Sequence, residues 1–134
     1  MALARQSTRE PAPKRRLLVV DDNKDAAESM SMLLEMWGHD VAYAYDGPSA
    51  LERAEQWQPE AVFLDIGLPG MDGYEVAARL RELPQSKDAV LIAITGYGQE
   101  DDRLRSRRAG IDHHLVKPVA PDTLRNLIDS LKLH

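Results

Sequence analysis

With 134 residues, 43% of them hydrophobic, the chain has the length of one ordinary domain and enough apolar side chain for a single sizeable core. Its formal net charge of -5 speaks against a general attraction to nucleic acid or anionic lipid, and leaves room for cation binding. There is no cysteine, which excludes disulfides and thiolate chemistry, and no apolar run approaches the roughly 20 residues that span a bilayer, so a soluble cytoplasmic protein without membrane insertion is expected.

Residues 1–15 hold several Arg, two Pro, Ser and Thr without the apolar core of a secretory signal, and read as a flexible tail or linker ahead of one domain over 16–134. Leu17 to Val20 form a continuous apolar run, as a strand buried on both faces does, and deliver Asp21 and Asp22 to its C-terminal end. Lys24 to Trp37 carries a helical stripe of Ala27, Met30, Leu33, Leu34 and Trp37, with Gly38 placed to stop it. The alternation continues with a strand near Val41 to Tyr45, a helix from Pro48 to Trp57, a strand from Ala61 to Asp65 and a helix from Gly73 to Leu83. A strand from Val90 to Thr95, a fourth helix from Glu100 to Arg108, a fifth strand from His113 to Val116 and a fifth helix from Pro121 to Leu131 complete it. Five short apolar strands alternating with five crossover helices predict an α/β fold, a doubly wound five-stranded parallel sheet with helices on both faces.

In such sheets ligands sit outside the carboxyl ends of the strands, which here read Asp21-Asp22, Asp65, Thr95 and Lys117. Three carboxylates brought to one edge repel one another and call for a cation, and an all-oxygen donor set favours Mg²⁺ or Mn²⁺ over zinc. Lys117 and the Thr95 hydroxyl would then surround a phosphoryl group, with the Asp65 carboxylate as its nucleophilic acceptor.

Taken in order, Leu-Leu-Val-Val-Asp-Asp-Asn at 17–23, Val-Phe-Leu-Asp-Ile-Gly-Leu-Pro-Gly-Met-Asp-Gly at 62–73, Ile-Ala-Ile-Thr-Gly at 92–96 and Val-Lys-Pro at 116–118 resemble the response-regulator receiver domains of two-component signalling, whose fold is flavodoxin-like. The likeness runs over nearly everything from Arg16 to His134. It implies that Asp65 is the phosphoacceptor, Asp22 a direct metal ligand, Asp21 a second acid acting largely through water, and the backbone carbonyl of Gly67 a further ligand. It also implies that Thr95 is a switch hydroxyl, that Lys117 pairs with the phosphoryl group, that the Lys117-Pro118 peptide is cis, and that phosphorylation reshapes the surface of the fourth helix, fifth strand and fifth helix. The implied donor is a histidine kinase or histidine phosphotransfer protein, with the same surface open to homodimerisation. Whether the chain is a free-standing regulator or the receiver of a hybrid kinase is not encoded in these motifs.

Two departures from the resemblance stand out. His114 stands three residues before Lys117 where the family usually carries a switching Tyr or Phe, and Gly67 and Tyr97 bring no acid or amide to orient a hydrolytic water, so a long-lived phosphoryl group is expected.

Each residue also has an ordinary reading. Asp21 and Asp22 suit an N-cap, Asp72-Gly73 a turn or helix start, Thr95 a strand and Lys117 a solvated surface. Arg103, Arg105, Arg107 and Arg108 suit a solvated face more than a docking patch. Asp21, Asn23 and Asp25 open like a calcium loop, but Ala26 and Met32 stand where its Gly and Glu belong. An aspartyl-phosphate hydrolase would want an acid at Gly67, and a flavin module a Ser-, Thr- or Gly-rich first turn rather than Asp21-Asp22-Asn23. A docking-only receiver would lack some of the acids, Thr95 or Lys117, and all are present.

Overall fold

The computed structural model describes residues 14–96 and 103–131. Its strands are β1 (Arg16–Val20), β2 (Asp40–Ala44), β3 (Ala61–Asp65), β4 (Val90–Thr95) and β5 (His113–Val116). Between and after them run α1 (Lys24–Met36), α2 (Gly47–Trp57), α3 (Gly73–Glu82), α4 (Arg103–Ala109) and α5 (Pro121–Ser130). All strand pairs are parallel, in the order β2-β1-β3-β4-β5, so the expected doubly wound sheet is the observed one.

Continuous apolar strands form because both faces are covered. Leu18, Val20, Val62, Leu64, Leu91 and Ala93 pack with Ala50 and Ala54 of α2 and Val76, Ala77 and Leu80 of α3. From the opposite face Leu17, Val19, Phe63, Ile92 and Ile94 pack with Ala27 and Leu34 of α1 and Leu124 and Ile128 of α5. Side chains alternate across each strand, so one run of four apolar residues feeds both cores.

Helix starts follow the local chemistry. Asn23, Asp46 and Asp72 cap α1, α2 and α3, accepting from the N–H groups of Ala26, Ser49 and Glu75 at 3.1, 2.7 and 2.9 Å. Pro48 and Pro121 sit in the first turns of α2 and α5, where a missing N–H costs nothing. β2 lies one residue earlier than the hydrophobic pattern places it. Its ladder starts with Arg16 opposite Asp40 and closes where the Asp21 N–H donates to the Ala44 carbonyl at 3.1 Å, leaving Asp46 free to cap. Of the fourth helix, Glu100 to Asp102 lie outside the described residues, as do 1–13 of the expected tail. Among the described residues no helix is long and apolar enough to cross a membrane.

Arg81, at the end of α3, ties three segments together. Its guanidinium donates to the carbonyls of Lys87 (2.8 Å), Ala89 (2.6 Å) and Gly110 (2.6 and 3.1 Å) and to Asp112 Oδ2 (2.8 Å), which also accepts the Leu91 N–H at 2.9 Å.

Lys14 and Arg15, read from sequence as tail, are anchored to the sheet. Lys14 pairs with Asp40 at 3.2 Å, Arg15 reaches Glu60 at 4.0 Å, and the Arg15 N–H donates to Nδ1 of the buried His39 at 3.3 Å. Burial and the Arg15 guanidinium push the His39 imidazole below its usual 6.5, against the opposing pull of Asp129 and Glu60. A depressed folded-state value means that folding favours the neutral ring. That stability is therefore fully present above 6.5 and is lost as pH falls through the lower folded-state value. Thermal unfolding of the wild type is expected to lose more midpoint between about pH 7.5 and about pH 5 than that of His39→Gln. Parallel curves would show that another group titrates.

Candidate functional site

The strand order reverses between β1 and β3, and the register aligns their ends, Val20 opposite Leu64, so Asp21 and Asp65 leave adjacent strands side by side. Asp65 pairs with Ile94, and Thr95 with Val116 one residue before Lys117. The residues singled out in the sequence thus share one edge at the switch point of the sheet.

Asp21 and Asp65 are buried, and Asp22 is exposed. Asp21 does not cap α1. Its Oδ1 accepts the Asn23 N–H at 3.0 Å and its Oδ2 accepts Lys117 Nζ at 2.7 Å. Asp65 Oδ1 accepts the Gly67 N–H at 2.9 Å, and its Oδ2 lies 3.6 Å from the same ammonium. Lys117 is therefore shared between two carboxylates rather than spread into solvent. Its backbone is held by its own N–H, which donates to the Thr95 carbonyl at 2.8 Å; the peptide to Pro118 is cis, as the resemblance implies.

Burial drives the Asp65 carboxyl above its usual range. The Gly67 N–H and Lys117 oppose this, while the neighbouring Asp21 adds to it. Lys117 moves up as well, because its bonds to Asp21 and the charge of Asp65 outweigh the cost of its own burial. The two directions agree once the charges are counted. One ammonium faces two buried carboxylates, so the lysine stays charged and the pair of acids remains under-compensated.

Whether a divalent cation fits can be tested on the donor set. Asp21, Asp22 and Asp65 each offer a carboxylate oxygen, all within 4.8 Å of one another. Oxygens octahedrally arranged at about 2.1 Å from Mg²⁺ stand about 3.0 to 4.2 Å apart, so a small inward movement suffices. Hard oxygen ligands, excess negative charge and an exposed member open to water suit Mg²⁺ or Mn²⁺.

The loop carrying Asp65 folds tightly onto α3. The Gly73 N–H donates to the Ile66 carbonyl at 3.1 Å, and a Cβ at Gly73 would lie 2.5 Å from Ile66 Cα and 2.7 Å from the Asp65 carbonyl oxygen. Only glycine permits that approach.

Thr95 is buried, and its hydroxyl faces the Leu115 carbonyl at 3.5 Å, a weak contact. His114 is half-buried and its Nε2 lies 2.9 Å from Ser106 Oγ, joining β5 to α4. That bond was not foreseeable, because nothing marks Ser106 as its partner. Arg105, read from sequence as part of a solvated face, pairs with Asp72 and lies 4.6 Å over the Tyr74 ring. Tyr97, on which part of the lifetime expectation rests, lies outside the described residues. Beside the acids, a cavity of about 590 Å³ opens between α1 and the segment after β5, lined by Met30, Leu33, Ile94, Pro118 and Leu124 among others.

Residues 17–129 match the model of the response regulator receiver domain family. Protein PilH of Pseudomonas aeruginosa is 31% identical over 87% of this chain and 96% of its own length. The DNA-binding dual master transcriptional regulator RpaA of Synechocystis is 37% identical over 77% of this chain, which spans only 43% of that longer protein. Among solved structures, the receiver domain of sensor histidine kinase PA1611 from P. aeruginosa superposes with a TM-score of 0.77 at 27% identity, covering 86% of this chain and 94% of that one. That domain holds a magnesium ion coordinated in its active site cleft.

Proposed function

The chain belongs to the response regulator receiver domain family, and we propose that it accepts a phosphoryl group on Asp65 from the phosphohistidine of a histidine kinase or histidine phosphotransfer protein, in a Mg²⁺-dependent reaction. The observation that carries this reading is the Lys117 ammonium held between Asp21 and Asp65 at the switch point of the sheet.

In the transfer, an Asp65 carboxylate oxygen forms the new P–O bond as the donor's N–P bond breaks, and the electron pair leaves with the imidazole nitrogen, which takes up a proton. A cation bound by Asp21, Asp22, Asp65 and the Gly67 carbonyl would supply charge neutralisation for the phosphoryl oxygens. Lys117 supplies the protein's own positive charge to the same oxygens. Thr95, whose contact with Leu115 is weak, turns its hydroxyl toward the phosphoryl group. The face of α4, β5 and α5, on which Leu104 and Val116 are exposed, then changes shape and serves output or homodimerisation.

The receiver takes in Lys14 and Arg15, which are fastened to its sheet, and the residues before them serve as linker; it acts in the cytoplasm without membrane insertion. The net charge of -5 supports output through protein contacts rather than direct nucleic-acid binding. RpaA's DNA binding is a property of a protein more than twice the length this chain spans.

Incubation with Mg²⁺ and phosphoramidate or acetyl phosphate is expected to add about 80 Da, the mass of one phosphoryl group, to the intact protein. Metal removal with EDTA should abolish the gain, and on removal of the donor it should decay over longer than seconds, since Gly67 offers no side chain to orient water. No gain in Mg²⁺ would overturn the reading.

A further inference from the structure

Two consecutive residues of α4 fasten it to different neighbours. Ser106 meets His114 of β5, and Arg105 reaches across to the start of α3. The second attachment is attributable to no part of the phosphoryl site. Arg105 Nη2 donates to Asp72 Oδ2, and its guanidinium lies 4.6 Å over the ring of the buried Tyr74. Asp72 meanwhile uses its other oxygen to cap α3 through the Glu75 N–H. Burial raises the Asp72 carboxyl, but the Glu75 N–H and the Arg105 guanidinium outweigh it and hold the carboxyl below its usual range.

Asp72 is in turn tied to Asp65. The next residue, Gly73, donates to the Ile66 carbonyl and lies against the Asp65 carbonyl oxygen with no room for a side chain. The Asp65–Ile66 backbone and the start of α3 are thus in direct hydrogen-bonded contact, one residue from Asp72. The arrangement containing the Arg105 contact is the one in which the Thr95 hydroxyl faces Leu115.

Building on the receiver reading above, we infer that Arg105 is a latch. It holds α4 on the phosphoacceptor loop in this arrangement and gives way when Asp65 carries a phosphoryl group, so α4 responds through Asp72 as well as through Thr95 and His114. Interactions present in one state and lost in the other oppose the switch by their own strength. An ion pair half open to solvent together with one stacked guanidinium corresponds to about a fivefold bias.

The test uses beryllofluoride with Mg²⁺ as a stable phosphoryl analogue, titrated by tryptophan fluorescence or calorimetry. Arg105→Ala is expected to bind it about fivefold more tightly than wild type. Asp72→Asn, which keeps a capping side chain but loses the charge, should tighten binding similarly, and the double variant should add little further. Without any ligand, the α4 amides of both variants should exchange hydrogen faster while those of β1 and β3 do not. Unchanged or weaker beryllofluoride binding with only a lower melting temperature would make Arg105 a purely structural contact. Unchanged α4 exchange would overturn the latch too. Should wild type take up neither beryllofluoride nor a phosphoryl group, the receiver reading itself falls.

Discussion

Asp65→Asn is expected to accept no phosphoryl group under conditions that add about 80 Da to the wild type, while melting at or above the wild-type temperature. The amide keeps the shape of the carboxylate and an oxygen for the Gly67 N–H, but it has no anionic oxygen to attack phosphorus. Stability should not suffer. The native carboxylate is buried beside Asp21, and both effects disfavour its charge in the fold. Lys117 keeps its 2.7 Å bond to Asp21 when the more distant Asp65 contact is gone. Intact mass and a thermal melt measured on the same sample test both halves. A mass gain equal to the wild type's would move the acceptor to Asp21 or Asp22.

Arg81→Ala is expected to cost about 3 kcal/mol of stability, as much as truncating a buried core side chain. The guanidinium serves three backbone carbonyls and one carboxylate with a planar fork, and it is three-quarters covered, with 25% side-chain exposure. Its loss leaves those acceptors without their charged donor, and releases the loop before β4 and the turn after α4 together. Lysine at this position keeps the charge but cannot present two edges at once, so Arg81→Lys should recover little. Urea unfolding gives the difference directly, and a cost below about 1 kcal/mol would show that water replaces the fork adequately.

The fold was legible because its signals are local. Four apolar residues followed by Asp21, the helix start at Asp72-Gly73, and Gly38 after α1 are each readable within a few positions, whereas the α1 cap, expected at Asp21 or Asp22, falls to Asn23. The convergence of Asp21, Asp65, Thr95 and Lys117 was legible for a related reason, since a parallel sheet carries every strand end to the same edge. Contacts that cross between elements left no such trace. Arg81 binds backbone carbonyls, which every residue has, so no partner type marks it. Arg105 stands among three other arginines of α4, and only the packing of α4 against α3 distinguishes it. His114 could be flagged as unusual for the family, but its bond to Ser106 depends on how α4 lies over β5.

Lys14 and Arg15 are pinned beside His39 and Glu60, where the strands begin, and Leu131 lies near Val90, Asp112 and His113 at the same end. The acids sit at the far ends of those strands, a five-residue strand or about 17 Å away. Polypeptide joined directly at residue 14 or at residue 131 therefore starts on the side facing away from the chemistry. A fluorescent reporter, an affinity handle or an unrelated partner module can be grafted at either point without shading the acidic edge, which makes the unit interchangeable cargo for fusion architectures.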